Sequence, residues 1–271
     1  MALRHTTDAN TDLRASSVLD CQSLCYKFPN SKTIFADVSL HTRKDEFVAV
    51  VGPTGTGKST LLRVIAHLIP PTSGRVLLDG VEVCRPSSRV SLVHQSIATF
   101  PWMTALENVM VGAHSWTHHE FVEAALRLPR HFREEARIRE RARAALAGTG
   151  LERWAGTRAE SLPLGKQRAL QIARALCGNP KLLLLDEPAA GLRGEERGEL
   201  ADLLVDLHRQ GLTMLLVEHD IGFVCDVADR VTVLDMGRVI AEGPPEQVRE
   251  DEVVVAAYLG SATADDAVGS H

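Results

Sequence analysis

No stretch of this 271-residue chain approaches the roughly 18 consecutive apolar residues that would cross a bilayer, and apolar runs such as Leu182 to Leu185 are strand-sized. Any membrane role is therefore expected to come through a partner. Met1 to Ser17 lacks the apolar core of a secretory signal and reads as a disordered tail, as in a cytosolic protein. Cysteine is sparse and unpatterned. Cys21, Cys25, Cys84, Cys177 and Cys225 are odd in number and without zinc-type spacing, so they read as small buried hydrophobes in a reducing compartment. Lysine is scarce beside arginine, occurring only as Lys27, Lys32, Lys44, Lys58, Lys166 and Lys181. The formal net charge of -5 gives no global footprint for nucleic acid or anionic lipid. There is no internal repeat and no long low-complexity tract. With 45% hydrophobic and 24% charged residues, a wholly disordered or fibrous chain is excluded. The length suits one large domain, or a core with an inserted subdomain.

Apolar periodicity then assigns the elements. Val18 to His41 reads as two strands around Pro29-Asn30-Ser31, and Phe47 to Val51 as a buried strand ending in glycine. Leu61, Leu62, Ile65 and Leu68 recur at helical spacing over Ser59 to Leu68, stopped by Pro70-Pro71. Asp79-Gly80, between Val76 to Leu78 and Val81 to Cys84, suits a tight hairpin turn, and Val90 to Val93 is a further strand. Thr104 with Glu107 matches a capping box and opens a mostly helical segment running to about Gly165. Within it, Arg127 to Arg143 mixes Arg and Glu with apolar Phe132, Ile138, Ala142 and Ala145. That pattern reads as a solvated helix face, with a polar docking surface as the alternative. Alternation resumes with a helix near Lys166 to Cys177, the strand Leu182 to Leu185, a helix near Glu195 to Gln210 and the strand Thr213 to Val217. Another helix follows, then strands near Val231 to Leu234 and Arg238 to Ala241. The alternation points to an α/β core with a parallel sheet, interrupted by a helical insertion.

Gly52-Pro53-Thr54-Gly55-Thr56-Gly57-Lys58-Ser59 fits G-x(4)-G-K-(S/T), the phosphate-binding loop. Glycines let successive backbone N–H groups converge on phosphate oxygens, and the helix that follows directs its positive end at them. Lys58 would neutralise β and γ phosphates and Ser59 would ligate Mg²⁺. A second element supports the first: Leu182 to Leu185 delivers Asp186 and Glu187 at the C-terminal end of a strand, the edge where such sheets bind ligands. Asp186 would hold Mg²⁺ and Glu187 would polarise the attacking water.

Over about Val18 to Gly260 the chain resembles the ATP-binding cassette (ABC) ATPases. The resemblance implies a P-loop NTPase core with a parallel sheet, an N-terminal antiparallel β-subdomain and an inserted helical subdomain at about Ser96 to Leu164, with a tail from 261 to 271. It assigns nucleotide contacts to Gly52, Pro53, Thr54, Gly55, Thr56, Gly57, Lys58, Ser59 and Thr60. Gln95 becomes the glutamine that senses Mg²⁺, and His219, in Val217-Glu218-His219-Asp220, the switch histidine at the γ-phosphate. Phe28 looks like the aromatic that stacks on adenine, with Tyr26 as the alternative and a core role open for both. The family's signature, L-S-G-G-Q, is degraded here to Leu162-Pro163-Leu164-Gly165-Lys166-Gln167, of which Leu162 and Gly165 match. Gln171-Ile172-Ala173-Arg174-Ala175-Leu176 continues it closely. Asp45 stands where Gly commonly precedes Glu46, and Pro188-Ala189-Ala190-Gly191-Leu192 lacks the usual Ser and Asp.

Within the family, Asp186 to Leu192, Glu107 to His114 and Ala257-Tyr258-Leu259-Gly260 look like the ATPase subunits of branched-chain amino acid importers. Leu62 to Val109, with Phe100-Pro101-Trp102-Met103-Thr104, looks more like nitrate, sulfonate and taurine importer ATPases. The implied function is ATP hydrolysis in a bacterial importer of amino acids or similar small polar solutes. The implied setting is a dimer of ATPase subunits, identical or paralogous, attached to transmembrane permease subunits on the inner face of the plasma membrane. An exporter ATPase of the lipopolysaccharide-export type and a soluble non-transport ABC ATPase are the alternatives. ATP and Mg²⁺ are the implied cofactors, and no nucleic acid is expected.

Overall fold

The computed structural model describes residues 17–29, 32–113 and 129–258. The tail expected before Ser17, the turn residues Asn30 and Ser31, stretch 114–128 of the expected helical segment, and the end from 259, with its expected tail, lie outside the described residues. The chain divides into two compact units: Met1–Ser87 with Leu184–Glu187 and His208–His271, and Ser88–Leu183 with Pro188–Leu207. Among the described residues no helix is long and apolar enough to cross a membrane.

In the first unit, strands β1 (Ser17–Lys27), β2 (Thr33–Arg43), β4 (Ser73–Leu78) and β5 (Val81–Glu82) form an antiparallel sheet in the order β2-β1-β4-β5. Asp79 and Gly80 both take positive φ, 49° and 74°, the backbone that a two-residue hairpin between right-twisted strands requires. The second sheet is built on β3 (Phe47–Val51), whose five residues are all buried. β3 pairs in parallel with β8 (Thr213–Glu218) on one side and β9 (Arg230–Asp235) on the other. Such strands are covered on both faces, which explains why they read as unbroken apolar runs instead of alternating patterns. β10 (Arg238–Gly243) returns antiparallel to β9, at the edge of a sheet whose centre, β8-β3-β9, is parallel as expected. The two-residue link Met236-Gly237 is too short for the crossover that a parallel neighbour needs.

Helix α1 (Lys58–Ile65) ends three residues before the expected Leu68. His67 turns to φ 53° and its N–H bonds Val64 O, closing the helix early and leaving Leu68 half exposed. Asp45 adopts φ 58°, the left-handed backbone that explains why glycine commonly stands there, and its N–H donates to Thr213 Oγ1 at 3.0 Å. Arg230 binds Glu46 at 2.8 Å, Glu242 and the carbonyl of His41, tying β9 to β2 and β10.

The second unit packs α2 (Ala105–Val111), α3 (Pro129–Gly148) and α4 (Leu164–Cys177) around one cluster that includes Val109, Leu146, Leu151, Leu162 and Leu170. The Thr104 and Glu107 capping box is formed in both directions. On α3, Ala142 and Leu146 are buried and Ile138 and Ala145 half-buried, while Arg137, Arg139, Glu140, Arg141 and Arg143 face solvent. Strand β6 (Val90–Val93) lies beside the start of β7 (Leu182–Asp186), where the N–H groups of Lys181 and Leu182 donate to Arg89 O. β7 passes from this unit into the first after Leu183, and α5 (Gly194–Arg209) does so after Leu207. In the first unit, α6 (Ile221–Val227) follows β8 and α7 (Pro245–Glu250) follows β10.

The cysteines depart from expectation. Cys21 and Cys177 are buried, Cys25 and Cys225 half-buried, and Cys84 exposed. Cys84 follows β5, an edge strand of only Val81 and Glu82 with both residues exposed, so little is present to cover it.

His41 and His67 supply a pH dependence. The His41 pKa lies below its ordinary value, chiefly through burial and then through Arg230; burial also lowers His67. The unfolded chain therefore takes up protons near pH 6.5 that the folded chain resists, so stability is full above that pH and falls as pH drops below it. Melting temperature followed from about pH 7.5 to about 5.5 should fall less steeply in His41→Gln than in the wild type, and equal slopes would contradict this.

Candidate nucleotide site

The parallel register places Val51 opposite Glu218, so the loop that leaves β3 and the one that leaves β8 start side by side. The β3 loop opens with Gly52 at φ 153°, where a Cβ would come within 2.0 Å of Leu234 O, so only glycine fits. It closes with Gly57 at φ 96°, N-cap of α1, where a Cβ would meet Ile34 Cγ2 at 2.6 Å. Between them Thr56 Oγ1 donates to Pro53 O at 2.9 Å. Lys58 folds back over the loop, its Nζ donating to Gly52 O at 2.7 Å and Pro53 O at 2.8 Å. The side chain is buried. Burial lowers its pKa, while Glu187, Glu218 and Asp186 act in the opposite direction. No side chain caps α1 and no acid lies in its first turn, so its leading N–H groups and dipole are open to an anion.

Asp186 ends β7 buried, and its Oδ1 accepts from Ser59 Oγ at 2.8 Å. Glu187 follows at φ 44°, its N–H bonded to Val217 O at 2.9 Å, which turns the carboxylate away from the strand line. His219 Nδ1 lies 3.7 Å from Glu187 Oε2 and 3.6 Å from Glu218 Oε2. Glu218 is almost fully buried, whereas the His219 side chain is 53% exposed. Among the described residues no group of three or more His, Cys, Asp or Glu side chains could hold a metal. The Ser59 and Asp186 oxygens do fit a hard divalent ion that keeps phosphate and water as its other ligands, the habit of Mg²⁺.

Beside the loop a cavity of about 570 Å³ opens between Pro53–Thr56, Ile34, the Asp235–Gly237 turn and Ala256–Ala257. Ala257 precedes Tyr258, whose hydroxyl is buried beside the Gly52 backbone and whose pKa burial pushes up to about 12. Phe28 does not line this cavity. It is 42% exposed and meets Tyr26 edge-on, with ring centroids 5.6 Å apart. Tyr26 in turn lies 6.2 Å from buried Phe35.

Thr60, in the first turn of α1, is half-buried, and the second unit holds Gln95 and the signature residues. Gln95 is exposed after β6, and its carbonyl accepts from Arg168. Leu162 is buried in the helical cluster, and both of its backbone groups are engaged, the N–H donating to Ala159 O at 3.2 Å and the carbonyl accepting from Gln167 Nε2 at 2.8 Å. Pro163 caps α4 without a donor of its own. The Gly165 N–H donates to Glu196 Oε1 at 3.0 Å, and Lys166 pairs with Glu199 at 2.8 Å. Sequence reading singled out neither Glu218 nor Glu196. The first stood in view, as an acid closing an apolar strand; the second carries no local signal, because its partner is 31 residues away.

A family model described as ABC transporter matches residues 35–190, and one described as branched-chain amino acid ATP-binding cassette transporter matches residues 238–264. The chain is 34% identical over 232 residues to the high-affinity branched-chain amino acid transport ATP-binding protein BraF of Pseudomonas aeruginosa, across 83% of this chain and 91% of that protein. It is 35% identical over 235 residues to the LivG protein of Escherichia coli K12, which carries the same description, with the same shares covered. Among solved structures it is similar to the ADP conformation of MJ1267, an ATP-binding cassette of an ABC transporter, with a TM-score of 0.78 and 26% identity over 90% of this chain and 99% of that one. A glycine loop that only glycine can enter, a serine on a strand-end aspartate and a family match across more than half of the chain converge: the protein belongs to the ABC transporter family and is one of its ATP-binding, ATP-hydrolysing subunits.

Proposed function

We propose that this chain powers a bacterial importer of amino acids, most specifically of the branched-chain type. The carrying observation is the match of residues 238–264 to the branched-chain model, alongside relatives whose names carry that substrate. A glutamine transport ATP-binding protein, GlnQ of Escherichia coli K12, is 37% identical over 220 residues, which supports an amino-acid cargo. In this reading the chain sits on the inner face of the plasma membrane, bound to permease subunits. Support for such a surface comes from Trp102, 73% exposed on a turn that buried Asn108 fixes by bonding the carbonyls of Phe100, Met103 and Thr104. Disrupting the gene in its own host should abolish high-affinity leucine uptake; uptake that persists at the wild-type rate would overturn the cargo assignment.

Within the site, Lys58 would exchange its loop carbonyls for β and γ phosphate oxygens, and the α1 N–H groups would hold the same phosphates. Ser59 and Asp186 would hold Mg²⁺, with Gln95 as a further contact; the ion supplies charge neutralisation on the phosphates. Glu187 would accept a proton from the attacking water, and His219 would steady that carboxylate and reach the γ-phosphate. Phe28 or Tyr26 would stack on adenine. Lys58→Ala should weaken nucleotide binding about 10- to 100-fold, the loss of about 1.5–3 kcal/mol expected for hydrogen bonds to a charged group. Glu187→Gln should keep binding intact and slow turnover by about 10²- to 10⁴-fold. A fluorescent ATP analogue and a phosphate-release assay separate the two effects, and wild-type turnover in Glu187→Gln would move the base elsewhere.

ABC subunits would close head to tail on two ATP molecules, each held by one chain's loop and the other's signature. Here Pro163 offers no donor and the Gly165 N–H already serves Glu196, so this chain's signature is the weaker surface. We infer a paralogous partner with a fuller signature and unequal sites, the faster one using Lys58 and Glu187 of this chain. Glu187→Gln should then cost the reconstituted complex far more ATPase rate than the matching change in the partner. Equal losses, or a fully active complex containing this chain alone, would refute the asymmetry.

A further inference from the structure

Helix α4 carries Arg168, Gln171 and Arg174 at intervals of three, a slanted row on the helix surface. Each donates to the backbone of one segment. Arg168 Nη1 reaches the carbonyl of Gln95, Gln171 Nε2 that of Ser96 at 2.8 Å, and Arg174 Nη1 that of Ala98. The row climbs about 9 Å over six residues at the helical rise, and its three donors meet carbonyls of a segment that bends at Gln95 and Ser96. Arg168 does more, because its Nη2 donates to Ala190 O at 3.0 Å. Its side chain is buried, so one guanidinium grips two backbone segments away from solvent. One carries Gln95, and the other begins at Pro188, directly after Glu187. A planar fork with fixed donors can serve two directions at once; an ammonium has no such built-in geometry.

We propose that Arg168 is a positioning residue for ATP hydrolysis, clasping the Gln95 carbonyl and the Ala190 carbonyl so that the segments bearing Gln95 and following Glu187 are held in one arrangement. This rests on the roles given above to Gln95 and Glu187. The buried bonds act on backbone, so nucleotide contacts made by the Gly52 to Ser59 loop are outside their reach, and the effect falls on turnover instead of binding.

The test compares Arg168→Met, Arg168→Lys, Gln95→Ala and the Arg168→Met/Gln95→Ala pair in the full chain with its membrane partners. Affinity for a fluorescent ATP analogue, kcat, KM and melting temperature are read for each. Arg168→Met should lower kcat by up to about 10²-fold, the scale of a small misplacement at a reacting centre, with analogue affinity unchanged. Arg168→Lys should recover part of the loss. The double variant should be no slower than the slower single variant, because residues acting through one arrangement are not additive. A wild-type kcat in Arg168→Met, fully multiplicative losses in the pair, or a loss of affinity that tracks the melting temperature would each overturn the proposal. If Arg168→Met does not fold, Gln171→Leu removes the neighbouring bond to Ser96 together with the one that Gln171 Oε1 accepts from Arg168 Nη1 at 3.3 Å, and is carried through the same cycle, with the same outcomes deciding. A harmless Gln95→Ala overturns the role given to Gln95 and the Gln95 arm of the clasp with it; a damaging Gln95→Ala beside a harmless Arg168→Met overturns the clasp alone.

Discussion

The pairing of β3 with β8, Val51 against Glu218, is the constraint on which the nucleotide site depends. Strand β3 is buried throughout and flanked by parallel neighbours on both sides, so its register cannot slip without exposing apolar residues. Everything chemical is then attached at strand ends. Gly52 follows Val51, His219 follows Glu218, and Glu187 follows Asp186 at the end of β7. The hydrogen bond from Ser59 to Asp186 adds a second tie, between the first turn of α1 and the end of β7. A loop of glycines would otherwise carry a large ordering cost; here Leu234 O, Ile34 and the folded-back Lys58 define its path from three sides.

Lys58 illustrates how the site stores charge. An ammonium buried this deeply would be driven toward neutrality by desolvation, and two carbonyls at hydrogen-bond distance with three carboxylates acting on it oppose that drive. The loop carbonyls would serve as a parking place that costs little to leave, since the proposed binding exchanges neutral acceptors for charged phosphate oxygens. The carboxylates are already committed: Asp186 to Ser59, Glu218 to burial beside His219.

The core was legible because fully buried parallel strands write themselves as continuous apolar runs, and Phe47 to Val51, Leu182 to Leu185 and Thr213 to Val217 sit within the observed strands. Local chemistry was legible too, in the Thr104 capping box and the Asp79-Gly80 turn. Errors arose where the deciding partner is distant or missing. Cysteine's general preference for burial says nothing about a residue such as Cys84, beyond a two-residue edge strand. The end of α1 turned on one backbone angle at His67. Within the candidate site, the glycine loop and the Asp186-Glu187 pair announce themselves by adjacency. Arg168 and Glu196 act across 73, 22 and 31 residues, and no periodicity encodes such contacts.

Helices α1 and α4 solve the same problem in opposite ways. Each begins at a glycine-bearing stretch, and each start leaves backbone N–H groups with no helical acceptor. At α1 nothing fills the gap: the N-cap is Gly57, no side chain caps it, and the first turn holds no acid. At α4 one of these N–H groups, that of Gly165, is served from within the chain. Glu196 sits in the first turn of α5, where a carboxylate already favours that helix dipole, and its Oε1 also takes the Gly165 N–H, so one negative charge serves two helix starts. A phosphate arriving at α1 meets unspent donors. One arriving at the Gly165 N–H must exchange with a carboxylate of like charge, and that exchange gains only the difference between two anion contacts, less the cost of leaving Glu196 to solvent. On the proposed reading the anion-binding capacity of this chain would be concentrated at α1, which would make its loop, and not its signature, the stronger half of the site it helps to build.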